Sequence, residues 1–169
     1  DLTDLIQSNI VRDIRALHEP QWTRRGKWNQ SYYEARVPRV PTMLLELLSH
    51  QNFADMRYGI DPRFRFTVSR AIYKGMLQFL CSQYRMDYVV QPLPVDHTAL
   101  RMIGEDEVEL TWQPVNDPLE PTATPDRYIV YTRIGNGDFD NGVIVGGTSY
   151  RTTLPAGTVC SYKVTALNK

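Results

Sequence analysis

A single carboxylate sits where its charge is hardest to accommodate. In the run Met43-Leu44-Leu45-Glu46-Leu47-Leu48, Glu46 interrupts five apolar side chains. Burying an ionised carboxylate is costly unless it is paired, bound to a metal or neutralised. Two readings stay open on spacing alone. Glu46 could be a proton acceptor at a site, or it could face a loop cavity and pair with Arg36 or Arg39. The other residues with chemical potential are less pointed. His18 falls at a helix end, His50 in a loop and His97 far along the chain, without the spacing of metal ligands, so each reads as a surface or hydrogen-bonded histidine. Cys81 and Cys160 lack metal or disulfide spacing and are expected to be buried thiols. Arg24, Arg25 and Lys27 lie between Trp22 and Trp28 and could stack on a sugar or a base. A basic cluster this short is more simply a solvated loop.

The elements that must position Glu46 follow from periodicity. Leu2, Ile6, Ile10, Ile14 and Leu17 recur at helical spacing, so residues 2–18 are expected to form an amphipathic helix, stopped by Pro20. Tyr32 to Arg36 has the aromatic content of a short strand. Residues 43–48 read as a strand buried on both faces, as in a parallel sheet. Asp61 followed by Pro62 supplies an N-cap and a first-turn proline for a helix expected to end near Leu80. The order helix, strand, strand, helix predicts an α/β segment over residues 1–90, a partial parallel sheet with flanking helices. In such sheets ligands bind outside the carboxyl ends of strands, which is where Glu46 is expected.

Arg36, Pro41, Glu46 and Asn52 together resemble the closing segment of the zinc-dependent N-acetylmuramoyl-L-alanine amidases. There a proline-led strand ends in a catalytic glutamate followed six residues later by asparagine. The resemblance covers roughly residues 2–82, the last part of such a domain. It implies hydrolysis of the amide between the lactyl group of muramic acid and L-alanine, with Glu46 as catalytic base and Arg36 and Asn52 in support. In that family zinc lowers the pKa of a bound water, and a glutamate that is not a ligand takes its proton. The family's glycine and phenylalanine after the glutamate are replaced here by Leu48 and Ser49, which alters the expected groove. The family's zinc ligands, two histidines and a glutamate, come from upstream elements. The expectation is therefore a fragment with no cofactor of its own, inactive alone, with zinc in the complete parent domain. That the chain opens on Asp1, not Met, inside an expected helix fits the same reading.

A second piece is expected over residues 91–169, after the extended linker Gln91-Pro92-Leu93-Pro94. Val108, Leu110 and Trp112 alternate with polar residues, and Tyr128 to Tyr131 continues the pattern. Gly135-Asn136-Gly137 and Asn141-Gly142 are turn signals, and residues 143–145, 149–153 and 159–167 read as further strands. These features, with the stretch from Leu154 to Asn168, resemble a fibronectin type III domain. That resemblance implies an all-β sandwich, with Trp112 buried between the sheets and Tyr162, Val164 and Ala166 facing inward. Cys160 stands where that family places its corner tyrosine. The last strand of that fold is expected to be missing, leaving edges open to self-association.

Bulk properties bound the partners. At 42% hydrophobic and 22% charged residues the chain can build cores, and its formal net charge of zero gives no field to attract nucleic acid. No run approaches the roughly 18 apolar residues of a membrane span, and no leader is legible. The resemblances together imply a secreted bacterial cell-wall hydrolase, extracellular, periplasmic or at the cell surface, that meets peptidoglycan or a surface glycan and carries an appended spacer or binding module. The alternatives are a surface polysaccharide-processing protein of the xanthan lyase type and a non-catalytic carbohydrate-binding or adhesion module.

Overall fold

The computed structural model describes residues 1–168, which form two compact units, Asp1–Tyr88 and the part from Val89 on. The first unit is helical. Helix α1 spans Leu2–Leu17, α2 Tyr33–Arg36, α3 Phe53–Gly59 and α4 Pro62–Tyr84. Asp1 caps α1, its Oδ1 accepting from the Thr3 amide at 2.9 Å, and Asp61 caps α4 by accepting from the Arg63 amide at 2.9 Å. Both caps satisfy amides that the first turn leaves without partners. Helix α4 runs four residues beyond its expected end, because Arg85 adopts a left-handed conformation (φ 53°) and its amide closes the last turn onto the Cys81 carbonyl.

The core of this unit is the seam between α1 and α4. Ile6, Ile10 and Ile14 meet Phe64, Val68 and Ala71, all buried. The helices approach so closely at Gly75 that an added Cβ would lie 2.7 Å from the Ile6 Cα. Beside this apolar stripe runs a polar one. Lys74 Nζ lies 2.6 Å from Asp13 Oδ2, with both side chains almost fully buried, and Asn9 donates to Gln78 Oε1 at 2.8 Å.

The expected parallel sheet is not formed: among the described residues of this unit there is no strand. Tyr33 to Arg36 is a helical turn, and residues 43–48 are extended but unpaired, with no backbone hydrogen bond to another backbone group. Nor is the segment buried on both faces, as the apolar run predicted: it alternates instead. Met43, Leu45 and Leu47 pack against the α1/α4 core while Leu44 and Glu46 are exposed, and Leu48, also on the core, ends the alternation. Period-2 alternation reports one face on a core, and it forms a sheet only if a second extended segment lies alongside.

The second unit is a β-sandwich. Strands β1 (Asp96–Met102), β2 (Glu107–Gln113) and β5 (Ser149–Thr153) form one antiparallel sheet in the order β1-β2-β5. Strands β3 (Arg127–Ile134), β4 (Val143–Val145) and β6 (Cys160–Leu167) form the other, in the order β4-β3-β6. Leu110 and Trp112 from the first sheet pack on Tyr128, Val130 and Ala166 from the second. The Trp112 and Tyr128 rings meet edge to face at 5.3 Å. Val164 pairs with Val130 and Tyr162 with Thr132, which turns Lys163 to the outer face, where it lies over the Tyr131 ring at 4.5 Å. Cys81 is buried as expected, its thiol 3.4 Å from the Asp87 carbonyl oxygen; Cys160 is only half-buried, at the start of β6.

Candidate functional site

Glu46 reaches the surface because its neighbours do not. Leu45 and Leu47 pack on the core and Glu46 between them is exposed, on a segment that, with Ile10 and Val11 of α1, lines a groove of about 330 Å³ on the first unit. The groove is lined by the segment Leu45 to Leu47 and by the connection from Gln21 to Arg25. Trp22 anchors that connection. Its ring packs against Tyr58 at 5.5 Å and Phe64 at 5.6 Å, fixing the loop onto the core.

Most polar groups around the groove are already engaged. Glu19 accepts from the Gln21 amide at 2.9 Å and from the Tyr58 hydroxyl at 3.2 Å. Burial first, and then the nearby Glu19 charge, pushes the Tyr58 phenol above its ordinary pKa. Asp55 accepts from the Ser49 amide at 2.9 Å, tying the end of the extended segment to α3. Arg24 donates to Gln7 Oε1 at 2.9 Å, to Ser8 Oγ at 3.2 Å and to Asp4. The Arg24 hydrogen bond is the main reason the Asp4 carboxyl lies below its ordinary pKa.

The residues expected to act together are not brought into one cluster. Glu46 lines the groove, and among the described residues no ion pair joins it to Arg36 or Arg39. Arg36 closes the exposed turn α2. Asn52 is the N-cap of α3, its Oδ1 accepting from the Ala54 amide at 2.9 Å and the Asp55 amide at 3.4 Å. Sequence reasoning missed α3 itself, although Asn52 followed by Asp55 in the first turn is a helix-start signal. It also left the Trp22 connection as plain loop, whereas this connection builds a wall of the groove.

The histidines stand apart. His18 Nε2 and Thr67 Oγ1 are 2.9 Å apart, and since Thr67 donates to the Arg63 carbonyl, its oxygen is left to accept from His18. His97 Nδ1 lies 3.3 Å from Asp96 Oδ2, on β1, and His50 sits in an exposed turn. Among the described residues no group of three histidine, cysteine or acidic side chains could hold a metal. Zinc therefore does not fit the described residues of this chain. No helix is long and apolar enough to cross a membrane.

No protein-family model matches this chain, and neither does any curated protein. Among solved structures it is similar to the one described as titin kinase and its flanking domains, at 24% identity and a TM-score of 0.38, covering 47% of this chain and 14% of that one. It is also similar to a fibronectin type III domain of human collagen XX, at 20% identity and a TM-score of 0.35, covering 45% of this chain and 77% of that one. The chain thus spans only a small part of the first of these.

Proposed function

We propose that the first unit is the closing part of an N-acetylmuramoyl-L-alanine amidase-like domain and that the sandwich is an appended fibronectin type III-like spacer or binding module. The protein would then act outside the cytoplasm, on peptidoglycan. What supports this reading most is the placement of Glu46. It is an exposed carboxylate between two core-packed leucines, on a segment that lines a groove, and is engaged with no other side chain among the described residues. A carboxylate so placed can accept a proton from a water attacking an amide carbonyl, the role the resemblance assigns to it. The polarising metal would come from residues outside this chain. Arg36 and Asn52 support the site indirectly in this reading, Asn52 by capping the helix whose Asp55 fixes the end of the Glu46 segment.

Sedimentation with purified peptidoglycan sacculi tests the substrate class. The chain is expected to pellet with sacculi and to remain in solution with cellulose, a neutral glucan lacking muramic acid. Equal recovery with both, or no recovery with sacculi, contradicts the reading. Metal analysis of the purified chain is expected to find less than one zinc per molecule. A tightly held zinc lost on His18→Ala or His50→Ala would show a ligand set that the present geometry does not contain.

A further inference from the structure

Helix α4 is apolar on two faces, and α1 covers only one of them. Phe64, Val68 and Ala71 are buried in the seam with α1, and Gly75 lies against Ile6. On the other side Phe66, Tyr73, Met76, Leu80 and Tyr84 follow one another at helical spacings, which sets them in one row along about five turns. Phe66, Met76, Leu80 and Tyr84 in this row stand 46% to 71% exposed. A helix with an apolar stripe on each side is built to be covered on both. A continuous exposed row of this length is an interaction surface, unlike apolar residues scattered singly.

Charge selects what covers the row. The formal net charge of zero conceals an uneven division, because residues 1–88 hold 13 of the 19 lysines and arginines but 9 of the 19 acids, an excess of four positive charges. Helix α4 itself carries Arg63, Arg65, Arg70 and Lys74 and no acid. Asp13 holds Lys74 and Asp61 holds Arg63. Arg65, beside the first residue of the row, and Arg85, directly after its last, are exposed, and among the described residues no carboxylate pairs with either. The next acid after Arg85 is the exposed Asp87. A second copy of this basic helix would meet like charge, and a nucleic acid would leave the apolar row wet. We infer that the outer face of α4 docks on an anionic membrane surface, the apolar row entering the boundary between headgroups and acyl chains while Arg65 and Arg85 meet lipid phosphates. Long arginine stems let the guanidinium stay at headgroup level while the side chains beside it sink deeper. This goes beyond the cell-wall reading and does not depend on it.

The test is flotation of the full chain with lipid vesicles, comparing phosphatidylcholine alone with an equal mixture of phosphatidylcholine and phosphatidylglycerol. The chain is expected to float with the anionic vesicles, less so at high salt, and to stay behind with the neutral ones. Met76→Glu with Leu80→Glu is expected to abolish flotation while circular dichroism shows unchanged helix content, since both positions are exposed. Arg65→Gln and Arg85→Gln are each expected to weaken binding about fivefold, the effect of one cation at an anionic surface. No flotation, equal flotation with neutral vesicles, arginine variants that bind like wild type, or flotation that survives the paired glutamates in a folded variant overturns the inference. A wild type that ignores vesicles but doubles its mass in light scattering, and loses that with the paired glutamates, assigns the face to a second copy and overturns it as well.

Discussion

Lys74 and Asp13 illustrate how unequal two partners' removal and joint replacement can be. The pair is nearly dry, and Arg12 adds a second cation at 3.0 Å from Asp13 Oδ1. Lys74→Met leaves a buried carboxylate with one outer partner and is expected to destabilise the first unit by about 3 kcal/mol in chemical denaturation. Replacing both, Asp13→Leu with Lys74→Met, is expected to restore most of that loss, since a well-packed apolar pair often matches a buried ion pair. Glu109 is a contrasting case in the sandwich. It accepts from Arg101 Nε at 2.8 Å and Arg151 Nε at 2.9 Å, and these hydrogen bonds, Arg101 first, hold its carboxyl below the ordinary carboxylate range. A group whose folded pKa is lowered contributes stability that is present above its unfolded pKa and lost as pH falls through the folded one. Glu109→Gln should therefore lower the sandwich's melting temperature at neutral pH and flatten its decline on the acid side of pH 4.5, the carboxyl's ordinary value. An acid limb unchanged from wild type would mean that the two arginines do not act through Glu109.

At the scale of elements, the α1/α4 seam has no room to spare. Gly75→Ala would place a methyl 2.7 Å from the Ile6 backbone, and overpacking of that kind typically costs about 1–3 kcal/mol. Asn52→Ala should cost about 1 kcal/mol by uncapping α3, whereas Asn52→Ser should nearly restore the cap; thermal unfolding distinguishes them. If Asn52→Ser preserves stability yet harms groove binding, Asn52 does more than cap. The two long helices were legible because each carries an apolar stripe, and α4 a capping aspartate before a first-turn proline; Asp1, expected inside a helix, is instead the N-cap of α1. Five of the six strands of the sandwich were legible too, because alternation there coincides with true sheet pairing; β1, with its exposed face, gave no such signal. The stretch from Tyr32 to Leu48 was not. Tyr32 to Arg36 has strand composition but a single helical turn, and residues 43–47 alternate against helices with no neighbouring strand. Local pattern fixes which face of a segment is buried, but the identity of what buries it is a tertiary fact. Glu46 could be singled out from the sequence by its apolar surroundings.

For the whole molecule, the sandwich presents an apolar inner face that its own strands do not cover. Leu100 and Met102 pair across β1 and β2 with the buried Leu110 and Val108, yet stay 49% and 55% exposed. Exposed apolar surface beside open strand edges favours association. Light scattering is expected to show mass rising with concentration, and the double variant Leu100→Lys with Met102→Lys to remain monomeric; a wild type that stays monomeric throughout contradicts this. The central claim is the proposed role of Glu46, and its most direct measurement is made in the complete domain that this proposal requires, one that supplies the metal ligands. There the rate at which new L-alanine amino termini are released from peptidoglycan is compared for wild type and Glu46→Gln at equal zinc content. The account predicts a rate lower by roughly 10²- to 10⁴-fold with the metal retained, the usual contribution of a general base. Equal rates, or a loss of activity explained by a loss of zinc, would contradict it.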